Sequence, residues 1–415
     1  MTDADLARFF FAMVSLLFFA HFFGYLFDRL GLPRVIGEIT GGLFLGKSFL
    51  GVIAPNIHQW IFLGFDGEQK LISAFYTFGL VLLMFISGFE MDKSFAKEDR
   101  KIVIAVLLGS TLFPFAVGWL APVYFDLARF MGSQQNPFSF RLVIAIAAAV
   151  TSIPVISRIF IDLKIMDTRF ARIVLSSATL HDILLWVALA VATGMIGSAD
   201  VSKSKIVSTV LATILLFVIV LKVMPRILLA INNLRFNFFL KSSSHGYVLS
   251  ICFLFAAIAS LMNVNIVFGA LLAGLIIGLM PGENFVAAKK EVKAVALGFF
   301  IPLYFAVVGY KIDLIHHFNP QLFVGFLVLT SLVQLLSTSL VSRWASNNWL
   351  SSFNLAMAMN TRGGPGIVLA SIAFDYGIID ETFFVVLVLT AIATSLTSGL
   401  WFRLILNRGL PLMQA

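Results

Sequence analysis

The chain has 415 residues, of which 60% are hydrophobic and only 12% charged. With a mean hydropathy of +0.99, that composition excludes a water-soluble globular fold. The net charge of +8 invites a polyanionic partner, but the basic residues gather at the ends of apolar runs, so the charge reports orientation in a membrane and no nucleic-acid partner is expected.

A bilayer is crossed by a helix of about 20 apolar residues. About thirteen such segments predict an all-α polytopic membrane protein. Segment 1 (6–27) follows Asp3 and Asp5 rather than a basic start, and reads as a retained helix rather than a secretory signal. Segment 2 (33–52) carries GEITGGLFLG, and segment 3 (71–90) runs into SGFEMD at 87–92. Segment 4 covers 101–125. Segment 5 (139–161) contains TSIP at 151–154, where Pro154 withholds an N–H and opens the helix around Thr151 and Ser152. Segment 6 (170–197) holds His181 and Asp182 among apolar, small and hydroxyl-bearing residues. Segments 7 (205–223) and 8 (246–262) follow. Cys252, the single cysteine, lies in segment 8 and rules out a disulfide framework or a cysteine metal site. Segment 9 (265–280) carries GALLAGLIIG, and segment 10 (294–312) runs into VGYKID at 308–313. Segment 11 covers 320–343. Segment 12 (350–374) contains TRGGP at 361–365, a stronger break built from Gly363, Gly364 and Pro365. Segment 13 (382–406) completes the set.

With the N-terminus outside, the inner loops hold most of the 29 Lys and Arg residues. The largest groups are Lys93/Lys97/Arg100/Lys101, Arg158/Lys164/Arg169/Arg172, Lys222/Arg226/Arg235/Lys241 and Lys289/Lys290/Lys293. This positive-inside bias places the C-terminus in the cytoplasm. The expected location is a bacterial inner membrane.

The two halves echo one another. Glycines 37, 42 and 46 recur with identical spacing at 269, 274 and 278, SGFEMD pairs with VGYKID, and TSIP pairs with TRGGP. Each pair is seven segments apart, and an odd separation inverts the second copy. An inverted repeat with a broken helix at the same place in each copy is a secondary-transporter signature, with the substrate site where the breaks meet.

Asp182 is the focus of that site. A carboxylate at membrane depth costs roughly 2.5–3.5 kcal/mol on insertion scales, so an intramembrane acid points to ion binding or proton transfer. Non-helical backbone at this depth survives only buried in protein or lining a wet cavity. Thr151, Ser152 and the oxygens near Thr361, Arg362 and Gly363 offer ligands for a small, hard monovalent cation, with Asp182 as its charged partner. Proton and cation compete for one carboxylate, which couples their fluxes. The expected function is a secondary antiporter exchanging Na⁺, or K⁺, for H⁺. The alternative is a Na⁺-coupled symporter of an organic solute on the same plan, for which Arg362 is the candidate anion-binding cation. No enzyme is expected, because adjacent helical residues point about 100° apart and His181–Asp182 cannot act as a base–orienter pair. No P-loop or potassium-channel filter is present, and no nucleotide or other cofactor is expected.

At GEITGGLFLG, LVLLMFISGFEMD (80–92), TSIPVISRIFIDL (151–163), LHDILLW (180–186), PLYFAVVGYKID (302–313) and NTRGGPGIVLA (360–370), the chain resembles the monovalent cation:proton antiporter superfamily, especially its second branch. The resemblance implies the inverted-repeat antiporter fold, with two crossing discontinuous helices, and a homodimer that serves pH homeostasis. It implies one transport domain over 1–415. A core (approximately 101–197 and 320–406) would move like an elevator against a dimerisation scaffold (approximately 1–90 and 205–312). Many relatives carry a nucleotide-binding regulatory domain after the last helix, and none is expected here. Where relatives carry Asp or Asn, sometimes Gln, before the essential acid, this chain has His181. Where many carry a pairing Lys, alignment of LVQLLSTSLVSRW (332–344) puts Gln334. A neutral His181 hydrogen-bonded to Gln334 would make exchange electroneutral. If His181 titrates near its ordinary value of about 6.5, it could instead gate the cycle by pH or carry a second proton. The resemblance also puts Glu38 at a family position, where it lines the cytoplasmic funnel or makes a structural hydrogen bond. Arg362 is expected to balance helix C-terminal ends or Asp182. Glu90, Asp92, Lys311 and Asp313 are expected to cap spans, and His21 to be a packed residue.

Overall fold

The computed structural model describes residues 2–65, 67–90, 97–195, 217–220, 222–232, 237–262, 265–346 and 348–413, together with 211, 213 and 215. The described residues are almost wholly helical. In chain order, the helices of nine residues or more are α1 (Asp3–Arg29), α2 (Arg34–Leu45), α3 (Glu68–Glu90), α4 (Arg100–Tyr124), α5 (Pro137–Ala149), α6 (Ile153–Asp162), α7 (Arg169–Gly194), α8 (Met224–Asn232), α9 (Ser244–Leu261), α10 (Ile266–Gly278), α11 (Glu283–Val295), α12 (Ile301–Lys311), α13 (Pro320–Ser346), α14 (Trp349–Met359), α15 (Gly363–Asp375) and α16 (Glu381–Asn407).

Ten helical stretches among the described residues are long and apolar enough to cross a membrane, one of them (Pro137–Asp162) being α5 and α6 taken across a short break. The expected ninth segment is the shorter apolar helix α10, the twelfth is split into α14 and α15, and the seventh lies mostly outside the described residues, as do Asp92 and Lys93. Many helix starts are capped by a side chain before the first turn. Asn136, Thr168, Asn265, Asn348 and Asp380 accept bonds from Ser139, Ala171, Val267, Ser351 and Phe383 backbone N–H groups at 2.8–3.2 Å. Each cap satisfies a donor that the helix itself leaves open.

The chain divides into two compact units. The first comprises Met1–Leu26, Gly37–Met91 and Asp200–Ile312. It is held by close backbone packing at the repeated glycines. A Cβ at Gly42 would lie 1.8 Å from the Ala306 carbonyl oxygen, and one at Gly274 would lie 2.0 Å from that of Phe85. Gly309 meets the Ile39 oxygen at 1.9 Å and Gly88 meets that of Leu271 at 2.3 Å, again measured from a built Cβ. Gly37 faces Phe23 as Gly269 faces Phe255, and Gly46 faces Tyr310 as Gly278 faces Phe89. Partners in these pairs stand at constant sequence offsets, so the sequence repeat is also a repeat of contacts. Each site admits glycine alone because backbones approach to where a side chain would sit.

Two features of this unit differ from the sequence reading. The basic run Lys289/Lys290/Lys293, read as loop, is part of α11, because Phe285, Ala288 and Val292 recur at helical spacing and are buried. Residues 296–300 then form a π turn that carries α11 into α12. His21, expected only to pack, uses its Nε2 to reach the Gly298 carbonyl at 3.0 Å within that turn. Lys293 pairs with Glu90, and the Lys311 ammonium sits 4.1 Å from the Tyr76 ring centre.

The second unit comprises Phe27–Ile36, Asp92–Ala199 and Asp313–Ala415. The sequence reading put 27–36 in the scaffold. The segment clusters here because Arg158 reaches Asp28 at 2.6 Å and Arg403 donates to the Gly31 carbonyl at 2.7 Å. Buried Asp99 takes Arg169 at 2.8 Å and Arg172 at 3.2 Å, tying the turn before α4 to the first turn of α7.

Candidate functional site

The site lies within the second unit, where α5 stops and α6 starts. Helix α5 ends at Ala149, residues 150–152 are non-helical, and α6 begins at Ile153 with Pro154 in its first turn. Proline there loses nothing, since that N–H has no partner inside the helix. Ser152 caps α6, accepting from the Val155 N–H at 3.4 Å. The second break has the same logic. Helix α14 ends at Met359, and α15 begins at Gly363, whose φ of +41° is a conformation L side chains avoid.

The two breaks touch and serve one another. A Cβ at Gly363 would fall 2.6 Å from the Ser152 hydroxyl and 2.4 Å from a Val155 methyl. Thr151 donates its hydroxyl to the Met359 carbonyl at 2.5 Å. In return, Arg362 donates through Nε to the Ala147 carbonyl and through a terminal nitrogen to that of Ala148, both at 3.2 Å, and to Asn360 at 3.1 Å. These carbonyls close α5 and would otherwise be buried without partners. Arg362 thus balances helix ends, and no Lys or Arg among the described residues forms an ion pair with Asp182 within 4.0 Å. Its guanidinium, the one cation the sequence offered to an organic anion, is committed to the backbone.

Removing those donors has a predictable cost. Charged hydrogen bonds contribute about 1.5–3 kcal/mol each, so Arg362→Leu is expected to lose at least about 3 kcal/mol of stability. Arg362→Lys, with one ammonium in place of a fork, is expected to lose less. Thermal unfolding of the detergent-solubilised variants checks both.

Asp182 lies one helix away on α7, buried, beside a cavity of about 10 Å³. That volume is close to the least that holds one water molecule. The cavity is lined by Ile146, Val150, Asp182, Leu185, Trp186, Leu189, Pro365 and Leu369. Val150 immediately precedes Thr151, and Pro365 closely follows Gly363, so the carboxylate and both breaks border one small space.

The expected His181–Gln334 hydrogen bond does not form. Gln334 is buried on α13 and donates to the Met359 carbonyl at 3.2 Å, beside Thr151. Its Oε1 and both His181 ring nitrogens are buried without a hydrogen-bond partner. His181 Nδ1 stands 4.0 Å from the Asp182 carboxylate, too far for a hydrogen bond. The cause is geometric, since the open end of α14 offers Gln334 a carbonyl that its own helix cannot pair. The Thr361 hydroxyl is likewise buried and unpartnered. Glu38 is a buried residue of the first unit.

The sequence reading missed the Met359 carbonyl, Asn360 and Trp186. Trp186 could have been found by its four-residue spacing from Asp182.

The family model for the transmembrane sodium/hydrogen exchanger matches residues 16–408 of the chain. The chain belongs to the sodium/hydrogen exchanger family. It is 26% identical over 394 residues to the Na(+)/H(+)-K(+) antiporter GerN of Bacillus cereus, covering 94% of each chain. It is 27% identical over 373 residues to Cation/H(+) antiporter 17 of Arabidopsis thaliana, covering 88% of this chain and 44% of that one. The chain thus spans under half the length of the plant protein. The structure of the sodium proton antiporter MjNhaP1 from Methanocaldococcus jannaschii superposes with a TM-score of 0.57 at 15% identity, covering 96% and 97% of the two chains. That likeness shows the exchanger fold, here built by an all-helical integral membrane protein.

Proposed function

We propose that the protein exchanges a monovalent cation, Na⁺ or K⁺, for H⁺, with Asp182 holding the proton and the cation in turn. The observation that carries this reading is a buried carboxylate bordering a water-sized cavity at two helix breaks. The two breaks themselves carry hydroxyls with lone pairs to spare. The Thr151 and Ser152 oxygens and the unpartnered Thr361 hydroxyl suit a partly dehydrated alkali cation, which prefers hard oxygen ligands. The half-helices α6 and α15 begin at the breaks and α5 and α14 end there, adding partial charges of either sign. The relatives named antiporters support the same reaction here. In this reading the second unit is the moving core, the first is the static scaffold and dimer former, and the C-terminus faces the cytoplasm.

Purified protein in liposomes carrying an internal pH dye tests the proposal. Adding Na⁺ or K⁺ should dissipate an imposed pH gradient without a co-transported organic solute. Absence of a response to Li⁺, Na⁺, K⁺ and Rb⁺ would overturn it. Because proton and cation seek one carboxylate, the apparent KM for the cation should rise as pH falls.

A further inference from the structure

Three side chains outside the exchange site converge between the turn that follows Ile312 and the start of α16. Asp313, His317 and Glu381 each bring one ligand atom within 4.8 Å of the other two. His317 Nε2 stands 3.4 Å from Glu381 Oε2. Two donors bound tetrahedrally to Zn²⁺ at their usual 2.0–2.2 Å lie about 3.3 Å apart, so this pair already has the spacing of one edge of such a site. The third donor is fixed in advance. Asp313 is buried, and its Oδ1 accepts from the Ile315 and His316 backbone N–H groups at 3.1 Å each. Its Oδ2 meets His316 Nδ1 at 2.8 Å, the kind of outer partner that orients a metal-ligating carboxylate. Glu381 is also held by its backbone. Asp380 caps α16 by accepting from the Phe383 N–H at 2.8 Å, and its own N–H donates to the Phe130 carbonyl at 3.0 Å.

We propose that Asp313, His317 and Glu381 form a three-ligand site for a zinc-class divalent metal ion, distinct from the transported monovalent cation. One imidazole with two carboxylates favours Zn²⁺, Co²⁺ or Ni²⁺ over Mg²⁺, which prefers oxygen alone. Three protein ligands leave a fourth position to water. Bound metal ties the turn after Ile312 to the first turn of the last helix, and so fixes both ends of that surface.

Isothermal titration of ZnCl₂ into tag-free, metal-stripped full-length protein in detergent tests the site. One equivalent should bind per chain, with affinity lowered by more than about 100-fold in His317→Gln and in Glu381→Gln, since losing even an outer partner of a ligand costs about 10–100-fold. Affinity should be unchanged in His245→Gln, whose side chain lies outside the cluster, and MgCl₂ should give no matching isotherm. Zn²⁺ should also raise the unfolding temperature of the wild type and leave that of the double variant unmoved, which separates lost binding from lost folding. Equal Zn²⁺ affinity in wild type and His317→Gln would overturn the assignment, as would an equal loss in His245→Gln.

Discussion

Asp182→Asn is expected to abolish cation:proton exchange in liposomes while leaving the protein folded. The amide keeps the size and hydrogen-bonding capacity of the acid but can neither release a proton nor present a charge. A unit charge about 2.4 Å from a monovalent cation contributes about 7 kcal/mol at an effective dielectric of 20. Losing even a third of that weakens cation binding by roughly fiftyfold, and loss of the proton step removes coupling altogether. Folding should survive because no basic side chain among the described residues is ion-paired with Asp182 more closely than His181 at 4.0 Å. A single elution peak and an unfolding temperature near that of the wild type establish this. Full exchange by a folded Asp182→Asn protein would end the reading of this residue as the shared site.

The second large effect is on stability, in the first unit. Gly274→Ala places a methyl 2.0 Å from the Phe85 carbonyl oxygen, and Gly42→Ala places one 1.8 Å from that of Ala306. Both oxygens belong to helix backbone and cannot swing aside like a flexible side chain, so whole helices must separate by about 1 Å or more. Overpacking of tight interiors costs about 1–3 kcal/mol, and these clashes are closer than ordinary overpacking. Each variant should therefore lose about 3 kcal/mol or more, and the two should behave alike because they occupy equivalent places in the repeat. Gly325→Ala is the control. No atom lies within 4 Å of a Cβ built there on α13, and exchanging Gly for Ala inside a helix gains up to about 1 kcal/mol. Equal unfolding temperatures for Gly274→Ala and Gly325→Ala would refute the close-approach account.

The membrane makes much of this fold legible from sequence. Backbone groups in hydrocarbon must be satisfied within the protein, so apolar length marks the spans, and the TSIP and TRGGP runs mark the breaks as paired features of the repeat, whereas Pro114 and Pro122 sit inside the unbroken α4. The glycine spacing shared by 37–46 and 269–278 exposed the repeat because close approach demands the same residue in both copies. Which donor meets which carbonyl was not legible. Gln334 and Thr151 converge on Met359, a backbone atom without a sequence signature, and His181 is left without the expected partner. Charge misled at 289–293, where lysines on an exposed face concealed a continuing helix. The His21–Gly298 contact depends on a π turn that no spacing announces.

That turn sets an angular phase along the rod from Glu283 to Lys311. A π turn is an α-helix with one surplus residue, and each residue advances a helix by about 100°. Upstream, the surplus lets Ala288 and Val292 point inward while Lys290 stays at the surface. Downstream, it aims Gly309 at the Ile39 carbonyl. Were the rod uniform, the bare backbone of Gly309 would be rotated off that carbonyl and a full side chain would be driven into it. The irregular turn is what allows a charged surface stretch and a glycine seam to share a single helix.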